Sequence, residues 1–95
     1  MSNFKLSADA KEDLRRIYIF GFKNFGEQQA DLYYDPFFDA FERIVNNPNA
    51  YPSVDNIRAG YRRCPCGSDS IYFRIHNNRV EIMAIIGGQD TDLWL

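Results

Sequence analysis

The stretch that decides the fold is IYFRIHNNRVEIMA, residues 71–84. Asn77-Asn78 sits at its middle, and asparagine tolerates the positive φ that a two-residue hairpin turn demands. Centring a hairpin there sets a register that can be checked. Ile75 faces Val80, Phe73 faces Ile82 and Ile71 faces Ala84 on one side. Arg74 faces Glu81, Tyr72 faces Met83 and His76 faces Arg79 on the other. A single register thus yields an apolar face and an opposite-charge pair, and a slip of one residue destroys both.

Working backwards, Tyr61-Arg62-Arg63-Cys64 reads as the preceding strand. Cys64-Pro65-Cys66-Gly67-Ser68 reads as its connection to the hairpin, because Pro and Gly form turns and Pro65 cannot serve a central ladder. Residues 49–60 form a loop. Before it the period changes from two to about 3.6. Leu14, Ile17, Tyr18, Gly21 and Phe25 share one helical face. Ser7 suits the N-cap, Asp9 the first turn, and Gly26 the end. Ala30, Tyr33, Tyr34, Phe37, Phe41, Ile44 and Val45 share the face of a second helix, which ends at Asn46-Asn47-Pro48. Pro36 lies inside it and is expected to kink it or split it in two. Helices joined by so little loop pack as an antiparallel hairpin. Phe4-Lys5-Leu6 alternates and reads as a first strand. The order is β-α-α-β-β-β, an α+β fold with the helical hairpin packed on one face of a small, mainly antiparallel sheet.

The chain has 95 residues, which sets one domain over 1–95, with 88–95 as a C-terminal tail. Apolar residues make up 45%, too many for disorder. No apolar run approaches the roughly 20 residues of a membrane span, and the start has no signal-peptide layout, so a cytoplasmic location and no membrane partner are expected. Two cysteines make no disulfide framework. With one histidine they also fall short of the four ligands of a structural zinc site. No metal or other cofactor is expected.

The net charge of −2 hides a segregation. Residues 58–79 carry Arg58, Arg62, Arg63, Arg74 and Arg79 against Asp69 alone, whereas both flanks are acidic. Such a band either meets an acidic partner or is a solvated sheet face. Arg58, Arg62, Arg63 and Arg74, beside Tyr61 and Tyr72, are the candidate contacts, since arginine and tyrosine dominate interface hot spots. Trp94 in the tail either tucks onto the core or is offered to a partner. Ile19, Phe20 and Leu32 fall off the helical stripes. They form an apolar edge that either receives a partner helix or lies under the sheet. Acid–base cleavage of RNA would rest on Arg62, Arg74 and the lone His76, with no second histidine or sheet lysine to help.

The stretch NNPNAYPSVDNIRAGYRRCPCGSDSIYFRIHNNRVEIMAIIGGQD resembles the second half of ParE toxins, in the RelE/ParE superfamily of bacterial toxin–antitoxin systems. The pieces LSADAKEDLRRIY and FGEQQADLYYDPFFDAFERI resemble that family's two helices. The resemblance spans about residues 3–90. It implies the fold derived above, poisoning of DNA gyrase, and neutralisation by a ParD-like antitoxin, without direct nucleic-acid binding. On that reading Arg58, Arg62, Arg63, Arg74 and Trp94 are the gyrase-contact candidates, and Ile19, Phe20 and Leu32 the antitoxin-contact candidates. The RelE branch instead cleaves ribosome-bound mRNA with Lys, Arg, Tyr or His residues. This chain has no lysine after Lys23 and no Tyr or His after His76, which favours a non-enzymatic, gyrase-directed toxin over an mRNA endonuclease or a silent interaction domain. Where family members often carry His or Arg after the last strand, this chain has Gly87-Gly88-Gln89-Asp90.

Overall fold

The chain begins with β1 (Phe4–Leu6), followed by α1 (Ala8–Phe25) and α2 (Glu27–Asn46). A 3-10 turn at Pro48–Ala50 leads through a loop to β2 (Tyr61–Cys66), β3 (Asp69–His76) and β4 (Arg79–Gly87). This computed structural model describes residues 4–87. The strands form one sheet in the order β1-β4-β3-β2, with β1 parallel to β4 and the other pairs antiparallel.

The expected order and hairpin are present. Asn77 and Asn78 both adopt positive φ, 53° and 60°, which closes the β3–β4 hairpin as a two-residue turn. The pairings His76 to Arg79, Ile75 to Val80, Arg74 to Glu81 and Phe73 to Ile82 follow from that centre. Beyond Phe73 the register departs from expectation. A bulge in β4 inserts one residue, so Tyr72 pairs with Ala84 and Ile71 with Ile85, not with Met83 and Ala84. The shift keeps Ile85 buried beneath the helices beside Ile71, a better core pair than alanine.

The β2–β3 connection is also shorter than expected. Pro65 lies inside β2, paired with Ser70, and the turn is only Gly67-Ser68, with Gly67 at φ 60°. β2 is an edge strand, where proline is tolerated when the missing N–H would face outward. Likewise Pro36 does not split α2, which runs unbroken. The carbonyl it deprives belongs to Leu32, on the exposed side of the helix.

Gly26 alone separates the helices. At φ 86° it ends α1 by donating its N–H to Phe22 and starts α2 by accepting from Ala30. The helices cross closely at Gly21, where an added Cβ would stand 3.4 Å from the Ala30 Cα. Ala10, Leu14 and Ile17 from α1 and Phe37, Phe41 and Ile44 from α2 close on Cys64, Ile71, Phe73, Val80, Ile82 and Ile85 of the sheet. Phe25 and Tyr33 were expected on these core stripes. Phe25 is instead 66% exposed and Tyr33 37%, because both lie where the hairpin tip overhangs the sheet.

Two side chains lock α1 onto β4 where pairing with β1 stops. The Ser7 Oγ accepts from the Ala10 N–H (3.0 Å) and donates to the Met83 carbonyl (2.8 Å). Asp13 Oδ2 accepts the Ile85 N–H at 2.9 Å. Replacing Asp13 by Ala leaves that buried donor unsatisfied. The expected cost is about 2 kcal/mol, and Asp13→Asn, which keeps an acceptor, should lose less than half as much in urea denaturation.

Candidate functional surfaces

Alternation along β2 divides the arginine band between two faces. Cys64 is buried in the core, so Arg62 and Cys66 share its inward side, while Tyr61, Arg63 and Pro65 lie on the other face, where Tyr61 is itself buried at 8% exposure. Arg62 donates through Nη1 to the Tyr51 carbonyl (2.6 Å), and the Tyr51 ring packs edge-on against Phe73 in the core. Arg62 thus braces the loop after α2. On the outer face Arg63 Nε donates to Ser70 Oγ at 2.8 Å. Arg74 is opposite Tyr61 in the ladder, and Arg58 sets its guanidinium 6.0 Å from the Tyr61 ring centre. Arg58, Arg63 and Arg74 are therefore gathered about Tyr61, and Arg62 is not among them. Trp94 lies outside the described residues.

Arg74 is partly spoken for. Its Nε meets Glu81 Oε1 at 2.7 Å, as the hairpin register predicts. The pair raises the arginine pKa and lowers the glutamate's. Tyr72, expected on a polar face, is only 2% exposed, as is its neighbour Ser70 at 1%. His76 is exposed beside the Asn77-Asn78 turn. Arg74 and His76 face outward while Arg62 faces the helices, so the fold does not assemble these three as one site.

Burial opposes thiolate formation at both cysteines. Cys64 is buried, and burial raises its pKa despite Arg43, Tyr51 and Arg63. Burial also raises that of Cys66, with Cys64 adding to it. Among the described residues no three His, Cys, Asp or Glu side chains converge on a metal site. Both thiols should react slowly with iodoacetamide at pH 7.5 and speed up only above about pH 9. Fast labelling at neutral pH would contradict this.

The helical hairpin carries apolar grooves, two of them between packed elements. The first, about 630 Å³, lies under the hairpin tip, among Ile17, Phe20, Phe25, Tyr33 and Asp69. Tyr33 closes it by donating to Asp69 and bonding Ser68 (3.1 Å) across the β2–β3 turn. Burial and that carboxylate raise the tyrosine pKa. A Cβ on Gly67 would meet the Tyr33 ring at 3.1 Å, on a backbone already at positive φ. Gly67→Ala should therefore cost more stability than Tyr33→Phe, which loses only the two hydroxyl bonds, about 1 kcal/mol by thermal or urea unfolding.

The second groove, about 540 Å³, lies between the first half of α1 and the middle of α2, among Leu6, Leu14, Tyr18, Ile19, Tyr34 and Phe38. The three apolar candidates of the sequence thus do not form one edge. Ile19 rims the second groove and Phe20 lines the first, the two also border a groove along α1 beside Arg16 and Lys23, and Leu32, 63% exposed, stands on the outer side of α2. The sheet covers none of them. Phe22, which the sequence reading does not single out, and Phe25, which it places on the core stripe, are exposed beside them, since periodicity does not show where a helix outruns its sheet.

Residues 4–91 match the family model for the ParE toxin of the type II toxin–antitoxin system parDE. A Toxin ParE1 from Caulobacter vibrioides is 35% identical over 86 residues, 90% of this chain and 88% of that protein. A Toxin ParE1 from Mycobacterium tuberculosis is 31% identical over 74 residues, covering 78% and 76%. A solved structure described as a chromosomal ParDE TA system from P. aeruginosa superposes with a TM-score of 0.78 over 92% of this chain and 96% of that one. At 21% identity that likeness supports the fold alone. With a family match across nearly the whole chain, and a sheet and helical hairpin to go with it, this chain belongs to the ParE toxin family of parDE type II toxin–antitoxin systems.

Proposed function

We propose that the chain is a toxin that acts on DNA gyrase without itself being an enzyme, and that a ParD-like antitoxin neutralises it. The match of residues 4–91 to the ParE toxin family carries this reading. Gyrase as target puts the site of action in the cytoplasm. No described helix is long and apolar enough to cross a membrane, which is consistent with that.

The two surfaces divide the work. The outer sheet face, with Arg58, Arg63 and Arg74 around Tyr61, is the gyrase-facing side. Fixed guanidinium groups beside an aromatic ring suit a protein surface carrying carboxylates. The helical hairpin, with its exposed apolar side chains and grooves, is the antitoxin-facing side. The separation of Arg62 from Arg74 and His76 weighs against the alternative of mRNA cleavage, which needs a base, an acid and a phosphate-binding cation around one scissile bond.

Purified protein titrated into a plasmid supercoiling assay with gyrase and ATP tests the reading. Accumulated double-strand cleavage or lost supercoiling is expected. Arg58→Ala with Arg63→Ala should raise the concentration needed about tenfold, at a stability cost of about 1.5 kcal/mol for the lost bond from Arg63 to the buried Ser70 hydroxyl. Arg62→Ala should lower stability by a similar amount, the worth of a hydrogen bond from a charged donor, with a smaller effect on gyrase. No effect of the folded protein on gyrase, together with translation arrest lost in His76→Ala, would establish the cleavage reading instead.

A further inference from the structure

The groove between α1 and α2 has banks of opposite charge. α2 carries five acids, Glu27, Asp31, Asp35, Asp39 and Glu42, against Arg43 alone. All five are exposed, and the first four follow one another at i, i+4 spacing. Like charges so spaced repel and destabilise a helix. Among the described residues none of the five forms an ion pair. Asp31 accepts a hydrogen bond from Tyr18, a groove residue, at 2.9 Å. The Tyr18 hydroxyl pKa is raised first by that bond, and also by the charges of Glu27 and Asp35, so the acidic row reaches the groove's rim. The opposite bank, on α1, carries Lys11 and Arg15, the latter ion-paired with Glu12 at 3.3 Å.

Resting on the reading that an antitoxin docks on the hairpin, we propose that the segment seated between α1 and α2 is an amphipathic helix with a basic flank. Its apolar stripe lies on Ile19, Tyr34 and Phe38, and its lysines and arginines lie over α2. Both halves of this description come from the surface itself. The groove floor is apolar and runs between two helices, which suits anchors at i, i+3, i+4 and i+7. The acidic bank selects the sign of the flank and, with the basic bank opposite, its orientation. An acidic flank over α2 would add repulsion to a row that already repels itself, and a neutral one would leave that row unrelieved.

The test is binding of the chain's cognate ParD-type antitoxin by stopped flow and calorimetry across a salt series, with three variants. Asp31→Asn, Asp35→Asn and Asp39→Asn together should slow association about tenfold at low salt and remove most of the salt dependence. The same triple variant should be more heat-stable than the parent, because it relieves i, i+4 repulsion, so weaker binding cannot be put down to unfolding. Ile19→Asp should weaken binding at every salt concentration. Lys11→Gln with Arg15→Gln should have the smaller effect. Loss of binding in Ile19→Asp with unchanged or tighter binding in the triple variant would overturn the basic flank and leave hairpin docking standing. Unchanged binding in Ile19→Asp would overturn docking in this groove and the inference with it. Self-association of the free chain that Ile19→Asp abolishes would make a second copy the occupant, which also overturns it.

Discussion

Where the helical layer sits on the sheet is set by one short stretch of contact between α1 and β4. β1 contributes only three residues, so β4 runs on past its parallel partner with backbone groups to satisfy. Ser7 and Asp13 meet that need. Ser7 N–H donates to the Ile82 carbonyl, Ser7 Oγ to the Met83 carbonyl, and Asp13 takes the Ile85 N–H. These bonds fall around the β4 bulge, where the β3 register shifts. They therefore fix both the place where α1 begins and the backbone it lies over. Leu14 and Ile17 are then carried onto the sheet, and with Gly26 as the only link, α2 must fold straight back along α1. Both grooves and the overhanging tip follow from that placement.

Much of this was legible because the informative residues act locally. Asn77-Asn78 and the Arg74–Glu81 pair fixed the hairpin register with no knowledge of the rest. Ser7 announced a helix start through its own side chain. What stayed hidden was decided at a distance. In IMAII, residues 82–86, nearly every position is apolar, so alternation cannot say which residue is the extra one. The bulge is chosen by Phe73 and Ile71 seeking Ile82 and Ile85 across the strand. Pro65 reads as a turn because its edge position is invisible until the strand order is known.

The functional residues show the same division. The charge band at 58–79 is plain in the sequence, and so is the adjacency of Arg62 and Arg63. Strand alternation separates those two neighbours onto opposite faces, which turns Arg62 into a brace for Tyr51 and leaves Arg63 outside. A tally of charges along the chain cannot distinguish them, whereas the burial of Cys64 two residues on does so at once. Ile19 and Phe20 are likewise adjacent and border a common groove along α1, yet 100° of helical rotation sends Ile19 alone to the groove shared with Tyr34 and Phe38, and Phe20 alone to the one beside Tyr33.

α2 carries two features that an isolated helix would resist, a proline in its middle and a row of like charges. Both lie on its outward side. Phe37, Phe41 and Ile44 are fully buried on the inward side, and removing any one large side chain from such a site typically costs about 3 kcal/mol. That anchoring exceeds the few tenths of a kcal/mol lost at each repelling pair. Because tertiary packing holds the helix, its outer surface is released from the demands of helix stability. That surface is then free to carry a charge pattern suited to another molecule, which is why a conflict with local helix rules there points outward to a partner and not inward to the fold.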